Sequence, residues 1–264
     1  MMYGYGNMIS STNRLFSGGG GGGDSDASAF ITAASITDGT QQDAINQLVI
    51  DLKSYGIWSK IYAIYPMVGG NATSHSYNLI DTSLFQLSFV GGWTHTSTGA
   101  LPNGTNAYAD TSWIQNNFTE ADNNTTTGFY SGTDTNTGTD IGCVLDASAY
   151  ILRARETNLF RSLNQATAGF PSVSNTNGTG FYSSSRLSST QISLYKDGSL
   201  LSLISSNSTS GMAKGNIRLS AYNTGFFGSK EHRLSFIAQG LTDTENANLY
   251  TAVQAYQTTL SRNI

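Results

Sequence analysis

Charge is scarce in this chain. Acidic and basic residues make up 11% of its 264 positions, less than half the roughly 25% usual for globular domains. With 13 Lys and Arg against 17 Asp and Glu, the formal net charge is -4. No basic stripe exists to neutralise phosphates, so a nucleic-acid partner is excluded. A single cysteine, Cys143, rules out an intrachain disulfide and reads as a small buried hydrophobe. Prolines number only three. Residues 1–16 contain no apolar signal-peptide core or small-residue cleavage site. No run approaches the ~18 apolar residues of a membrane span. Triplets of Asn-x-Ser/Thr at Asn71, Asn103, Asn117 and Asn207 follow from the Asn/Thr-rich composition rather than from secretion.

The residues of hydrolytic and metal chemistry are also few. Glycoside cleavage needs two carboxylates across the scissile bond. Only four glutamates occur: Glu120, Glu156, Glu231 and Glu245. The stretch from Glu120 through Asp122 matches two positions of the Glu-x-Asp-x-x-Glu glucanase strand, but Thr125 stands at the third. The histidines, His75, His95 and His232, lack zinc-site spacing, although His75 and His95 flank neighbouring predicted strands and can meet in space. There is no Gly-x-Ser-x-Gly elbow. The glycine run lacks the lysine of a P-loop. Asp134-Thr-Asn136-Thr-Gly138-Thr-Asp140 superficially looks like a calcium loop but has no closing bidentate glutamate, so it reads as a solvated turn. Neither a metal nor a cofactor is expected.

Polar, uncharged side chains and glycine fill the composition instead, with 38% hydrophobic residues, enough for a proper core. Residues 1–26 stand apart as an arm containing an unbroken glycine run at 18–23, either a flexible linker or a strap onto a neighbouring subunit. The folded domain is expected from residue 27 to 264. It opens with a short apolar helix at 27–35, then a second helix started by a Thr40–Asp43 capping box. Ala44, Ile45, Leu48, Val49 and Leu52 follow at helical spacing. Gly56 ends that helix, and Ile57 and Trp58 fold back on it.

From Ile61 the period changes to two. Strands are predicted at 61–67, 75–81, 85–90, 108–113, 127–130, 142–146, 150–155, 160–164, 178–184, 191–195, 200–205, 217–222 and 232–238. Short strands at even spacing, divided by Asn/Gly/Ser turns, predict a sandwich or barrel. Lys196-Asp197-Gly198 marks a hairpin. A second capping box, Thr242 to Glu245, begins a C-terminal helix with Leu249, Ala252, Val253, Tyr256 and Leu260 on one face. No internal repeat is visible.

Several blocks carry a resemblance. "ISLYKDGSLL" (192–201) and "FIAQGLTDTENANLYTAVQAYQTTL" (236–260) resemble the hairpin and closing strand–helix of laminin-G/concanavalin-like jelly rolls. "AFITAASITDGTQQDAINQLV" (29–49), "WSKIYAIYPMVGG" (58–70) and "GGWTHTSTGALPNGTNAYADT" (91–111) resemble virion proteins of Bacteroidota-infecting phages, crAss-like phages among them. The likeness covers 29–264. It implies a mainly β concanavalin/laminin-G-like sandwich in a non-enzymatic structural or decoration protein of the capsid, collar, tail or a fibre. It implies localisation in the virion after synthesis in the host cytoplasm. The partners expected are other virion proteins, through the arm, and further copies of the chain.

The alternative is a receptor-binding lectin module for host surface glycans. Sugar recognition needs an exposed aromatic face beside amide and carboxylate groups. Trp113, Tyr130 and Phe118 lie near Asn116, Asn117, Asp134 and Asn136 in sequence, and Phe226-Phe227 sits in another Gly/Asn-flanked loop. Trp113, Tyr130, Asp134 and Asn136 are the candidate set, with plain packing or subunit contact as the competing role for the two rings. Trp58 and Trp93 are assigned to the core. Because a fold alone does not fix function, a hydrolase of surface polysaccharide stands as a third class, weakened by the shortage of carboxylates.

Overall fold

A computed structural model describes residues 23–114, 123–145, 148–165, 170–205, 215–222 and 225–264. The N-terminal arm up to residue 22 lies outside the described residues. So do the predicted glucanase-like positions Glu120 and Asp122, and the amides and ring of Asn116, Asn117, Asn207 and Phe118.

Among the described residues are four α-helices: α1 (Ser25–Ala33), α2 (Gly39–Ser54), α3 (Ala72–Ser76) and α4 (Asp243–Thr259). The strands are β1 (Ile61–Tyr65), β2 (Ser88–Val90), β3 (Trp93–His95), β4 (Ala100–Pro102), β5 (Tyr108–Ile114), β6 (Thr125–Ser131), β7 (Ile141–Leu145) and β8 (Ser148–Glu156). They continue with β9 (Leu159–Asn164), β10 (Ser172–Ser174), β11 (Gly180–Ser188), β12 (Gln191–Lys196), β13 (Ser199–Ser205), β14 (Asn216–Leu219) and β15 (His232–Ala238). Sheet A runs β13-β12-β11-β6-β15-β4-β3, with β1 also on β15. Sheet B runs β10-β9-β8-β7-β14-β5-β2. The strand pairings within both sheets are antiparallel. The expected sandwich is therefore the fold.

The central strands of sheet A, β6, β11 and β15, are buried on both faces, so helices, sheet A and sheet B form three layers. Side chains alternate across a strand, so neighbours in sequence reach different cores. Phe129, Tyr182 and Ile237 enter the core between the sheets. Tyr130, Phe181 and Phe236 enter a second core, beneath α1, α2 and α4. At the centre, β6 lies so close to β11 that a Cβ on Gly128 would sit 2.3 Å from the Tyr182 carbonyl oxygen; only glycine fits there.

Local chemistry explains where elements begin. The side chain of Asp38, not Thr40, caps α2, accepting from Gln41 N at 2.9 Å. This moves the predicted Thr40–Asp43 box inside the first turn. The stop at Gly56 holds: φ is +70°, and Gly56 and Ile57 amides close onto the Lys53 and Leu52 carbonyls, a Schellman-type end. The predicted strand 75–81 is instead α3 followed by an irregular stretch. Asn71 and Ser74 form a reciprocal capping box that winds the chain up. Asn78 then takes a strand's place beside β1, its side chain accepting from Ile64 N at 3.0 Å. The Thr242–Glu245 box forms as expected. So does the hairpin at Asp197-Gly198, with φ +48° and +73°, the left-handed pair a two-residue turn requires.

Asp24 caps α1 and its carboxylate pairs with Lys53 of α2 at 2.7 Å. Asp26 reaches the same ammonium at 2.6 Å. Asp24 to Asp26, assigned by composition to the arm, are thus tied into the helical layer. No helix among the described residues is long and apolar enough to cross a membrane.

Candidate functional site

The proposed sugar set divides in the structure. Trp113 and Tyr130 are wholly buried. Trp113 packs in the inter-sheet core against Tyr62, ring centroids 5.5 Å apart. Tyr130 lies under the helices, its hydroxyl bonded to Gln254 Oε1 at 3.1 Å and accepting from Ile264 N at 2.9 Å. Neither ring can offer a face to a ligand. The causes differ: Trp113 sits on the register of β5 that faces the other sheet, whereas Tyr130 sits on the face of β6 that the helices cover.

Asp134 and Asn136 do reach the surface together. They belong to the β6–β7 loop, at the end of the sandwich where the β8–β9 turn and the β14–β15 loop also gather. Arg155, near the end of β8, donates to Asp134 Oδ1 and Asn158 Oδ1, each at 2.7 Å. Asn136 Oδ1 accepts from Asn158 N at 2.8 Å. Asp134 Oδ1 also accepts from Gly178 N at 2.7 Å. These contacts hold the Asp134 carboxyl below its ordinary pKa despite partial desolvation.

Two residues back along β8 stands Arg153. Its guanidinium lies 5.4 Å from the Phe226 ring centre and 5.2 Å from that of Phe170. Its Nε donates to Thr139 Oγ1 at 3.0 Å and its Nη1 to Glu156 Oε1 at 2.6 Å. Arg161 reaches the other oxygen of Glu156 at 3.2 Å. Phe226 itself is 64% exposed and has φ +56°. A bulky residue in that region is strained, and Tyr222 props the ring edge-on at 6.0 Å. An exposed ring at this end of the sandwich is supplied by Phe226, whose ring neighbours are Arg153 and Tyr222. The arginines were missed from the sequence. Their signal was there: Arg153 and Arg155 alternate with the buried Leu152 and Ala154 in β8.

The acids of the calcium-like loop point apart. Asp140 is wholly buried, facing Lys230 Nζ at 3.3 Å and accepting from Ala154 N at 2.7 Å. Burial raises its carboxyl pKa against the pull of Lys230. Among the described residues no three His, Cys, Asp or Glu converge on a metal site.

The histidines gather around Trp93, which is half-buried and packs against the inter-sheet core. His75 and His95 do meet, Nδ1 to Nδ1 at 2.9 Å. Trp93 stacks on His95 with centroids 6.2 Å apart, and His232 lies at the same distance from the indole. His232 is held by two hydroxyls, Ser220 and Ser235, each at 2.8 Å. Burial drives the pKa of both His75 and His232 down to about 3, so both rings are neutral. The enclosed Ser220–His232 pair has no access to a substrate.

No family model matches the sequence, and no curated protein matches it. Among solved structures, the binding domain of botulinum neurotoxin DC, in complex with rat synaptotagmin II, aligns with a TM-score of 0.51 at 11% identity. That alignment covers 75% of this chain and 52% of the toxin domain. The likeness is one of fold. Weaker alignments reach domain 4 of AbnA, a GH43 extracellular arabinanase from Geobacillus stearothermophilus in complex with arabinotriose. There the TM-score is 0.46 and the identity 11%, over 72% of this chain and 98% of that domain. Trypanosoma rangeli sialidase with 2,3-difluorosialic acid gives 0.49 and 12%, over 79% of this chain and 38% of that one. The chain spans about half the length of the toxin binding domains it matches.

Proposed function

We propose that this protein is a non-enzymatic component of a phage virion surface, tied to other virion proteins by residues 1–22 and presenting its Phe226 end to host surface glycans. The binding part rests on one observation: an aromatic ring, 64% exposed, is fixed over Arg153 at the end of the sandwich that also carries the Asn136, Asn158 and Arg155 network. Sugar C–H faces stack on such a ring, while neighbouring amides and guanidinium groups bond the hydroxyls. The non-catalytic part rests on how the acids are engaged. Glu156 pairs with Arg153 and Arg161, Glu231 with Arg233, and Glu245 with Lys60. The virion part rests on the resemblance of residues 29–49, 58–70 and 91–111.

The test is a glycan array, with adsorption of purified protein to host cells, for the wild type and Phe226→Ala. Binding that the substitution abolishes, with thermal stability unchanged, is the expected result. Wild-type protein that binds neither glycans nor cells at high concentration defeats the lectin reading. The structural reading is then decided separately, by whether deletion of residues 1–22 stops incorporation into particles.

A further inference from the structure

Sheet A has an open margin at β13. This strand pairs with β12 on one side and, among the described residues, with no strand on the other. Protein sheets usually blunt such a margin with lysine, proline or an inward-pointing charge. The sequence Ser199-Leu-Leu-Ser-Leu-Ile-Ser205 has none of these, and a bulge at Leu201 is the one protective feature of the strand. It exposes leucines instead: Leu200 at 42%, Leu201 at 41% and Leu203 at 54%. Ile204 packs toward the inter-sheet core, so Leu203 stands on the opposite, helix-bearing face. A bulge at Leu201 puts Leu200 opposite Tyr195, whose hydroxyl reaches Asp243 of α4, on that same face. The leucines therefore form an apolar rim beside α4.

The strand also reads the same in both directions by class: polar, apolar, apolar, polar, apolar, apolar, polar. A two-fold interface demands such self-complementarity, because each residue must suit its symmetry mate. About an axis at Ser202, antiparallel pairing sets Leu201 of each copy against Leu203 of the other and Ser202 against itself. No like charges are opposed, and the apolar pairs stabilise the joint. We infer that a second copy of this chain docks edge to edge on β13, so that sheet A continues through a two-fold dimer. Seven residues give a seam of about 23 Å. A contact confined to one strand edge buries little area beside a standard interface, so the dimer dissociates on dilution.

Sedimentation velocity of the full chain over a concentration series reads the dimer. Leu203→Lys, at an exposed site, should leave it monomeric with unchanged circular dichroism. Ser202→Cys gives a positive signature. Directly opposed antiparallel residues have Cα atoms about 4.5–5.5 Å apart, within reach of a disulfide. Mild oxidation should convert this variant to a covalent dimer. Ser199→Cys, with its mate about 20 Å away, should stay monomeric. Native Cys143 adds no background: it is buried, bonds the Gly215 carbonyl, and its thiol is pushed up to about 11. A wild type that is monomeric throughout overturns the inference. So does a dimer that survives Leu203→Lys, or one in which Ser202→Cys cross-links no faster than Ser199→Cys.

Discussion

Lowering the pH from 7 to 5 should destabilise the protein steeply; two enclosed histidines should account for most of it, with His95, also lowered by burial, adding in the same sense. His75 is 1% exposed and His232 is fully enclosed. Burial lowers each from 6.5 to about 3, aided by His95 and Arg262 near the first and Lys230 near the second. Because the folded value is the lower one, the unfolded chain takes up more protons below pH 6.5. The stabilisation is whole above that value and is lost as the pH falls toward 3. At pH 5 the linkage amounts to about 2 kcal/mol for each ring, or about 4 kcal/mol together. Against a usual total of about 5–15 kcal/mol, that is a large share. In a chain of this size it lowers Tm by roughly 8–16 °C. Asp140 and Asp197, both raised by burial, act in the opposite sense, so a difference measurement is needed. Calorimetry at pH 7, 6 and 5 should be run on the wild type and on a His75→Gln, His232→Gln double variant. The double variant loses stability at pH 7 through its broken packing, yet its pH slope should be much flatter. Equal slopes in the two proteins would refute the assignment.

Asp140→Asn strands the buried ammonium of Lys230 and should cost about 3–5 kcal/mol, read from urea unfolding at neutral pH. Trp113→Ala opens a hole in the inter-sheet core and should cost about 3–5 kcal/mol by the same measurement. Asp38→Ala removes the α2 cap at about 1 kcal/mol, whereas Thr40→Ala should change the midpoint little. Deleting residues 1–26 removes the Asp24 cap and should lower stability by about 1 kcal/mol relative to deleting 1–22; equal melting curves would contradict that role.

Strand alternation and capping boxes were legible in the sequence because they are local. The run 232–238 is β15 residue for residue, and Thr242 starts α4 as its spacing implied. The helix at Ala72 was hidden because His75 to Asp81 alternates like a strand, while the deciding bonds belong to the Asn71 and Asn78 side chains. Three of the three-residue strands, β3, β4 and β10, went unseen because so short a run shows no period. At the candidate site, Asp134 and Asn136 were found through their polarity. Trp113 and Tyr130 were misplaced because alternation shows that two faces exist but not which one is covered. Sheet A has no exposed face for Tyr130, since the helices bury the side that a simple two-layer sandwich would leave wet. Phe226 stood in plain sight between Gly225 and Gly228, but its partner Arg153 comes from another strand.

The pairing of β15 with β6, β4 and β1 also sets a clock on biosynthesis. The ribosome must make residues 232–238 before the middle of sheet A can close. It must make α4 before the helices that precede β1 can bury their apolar faces. Segments emerging earlier therefore wait with sticky surfaces uncovered. Such long-range closure makes folding slow and exposes the nascent polypeptide to aggregation, so chaperone supply in the producing cell should govern the yield of native protein.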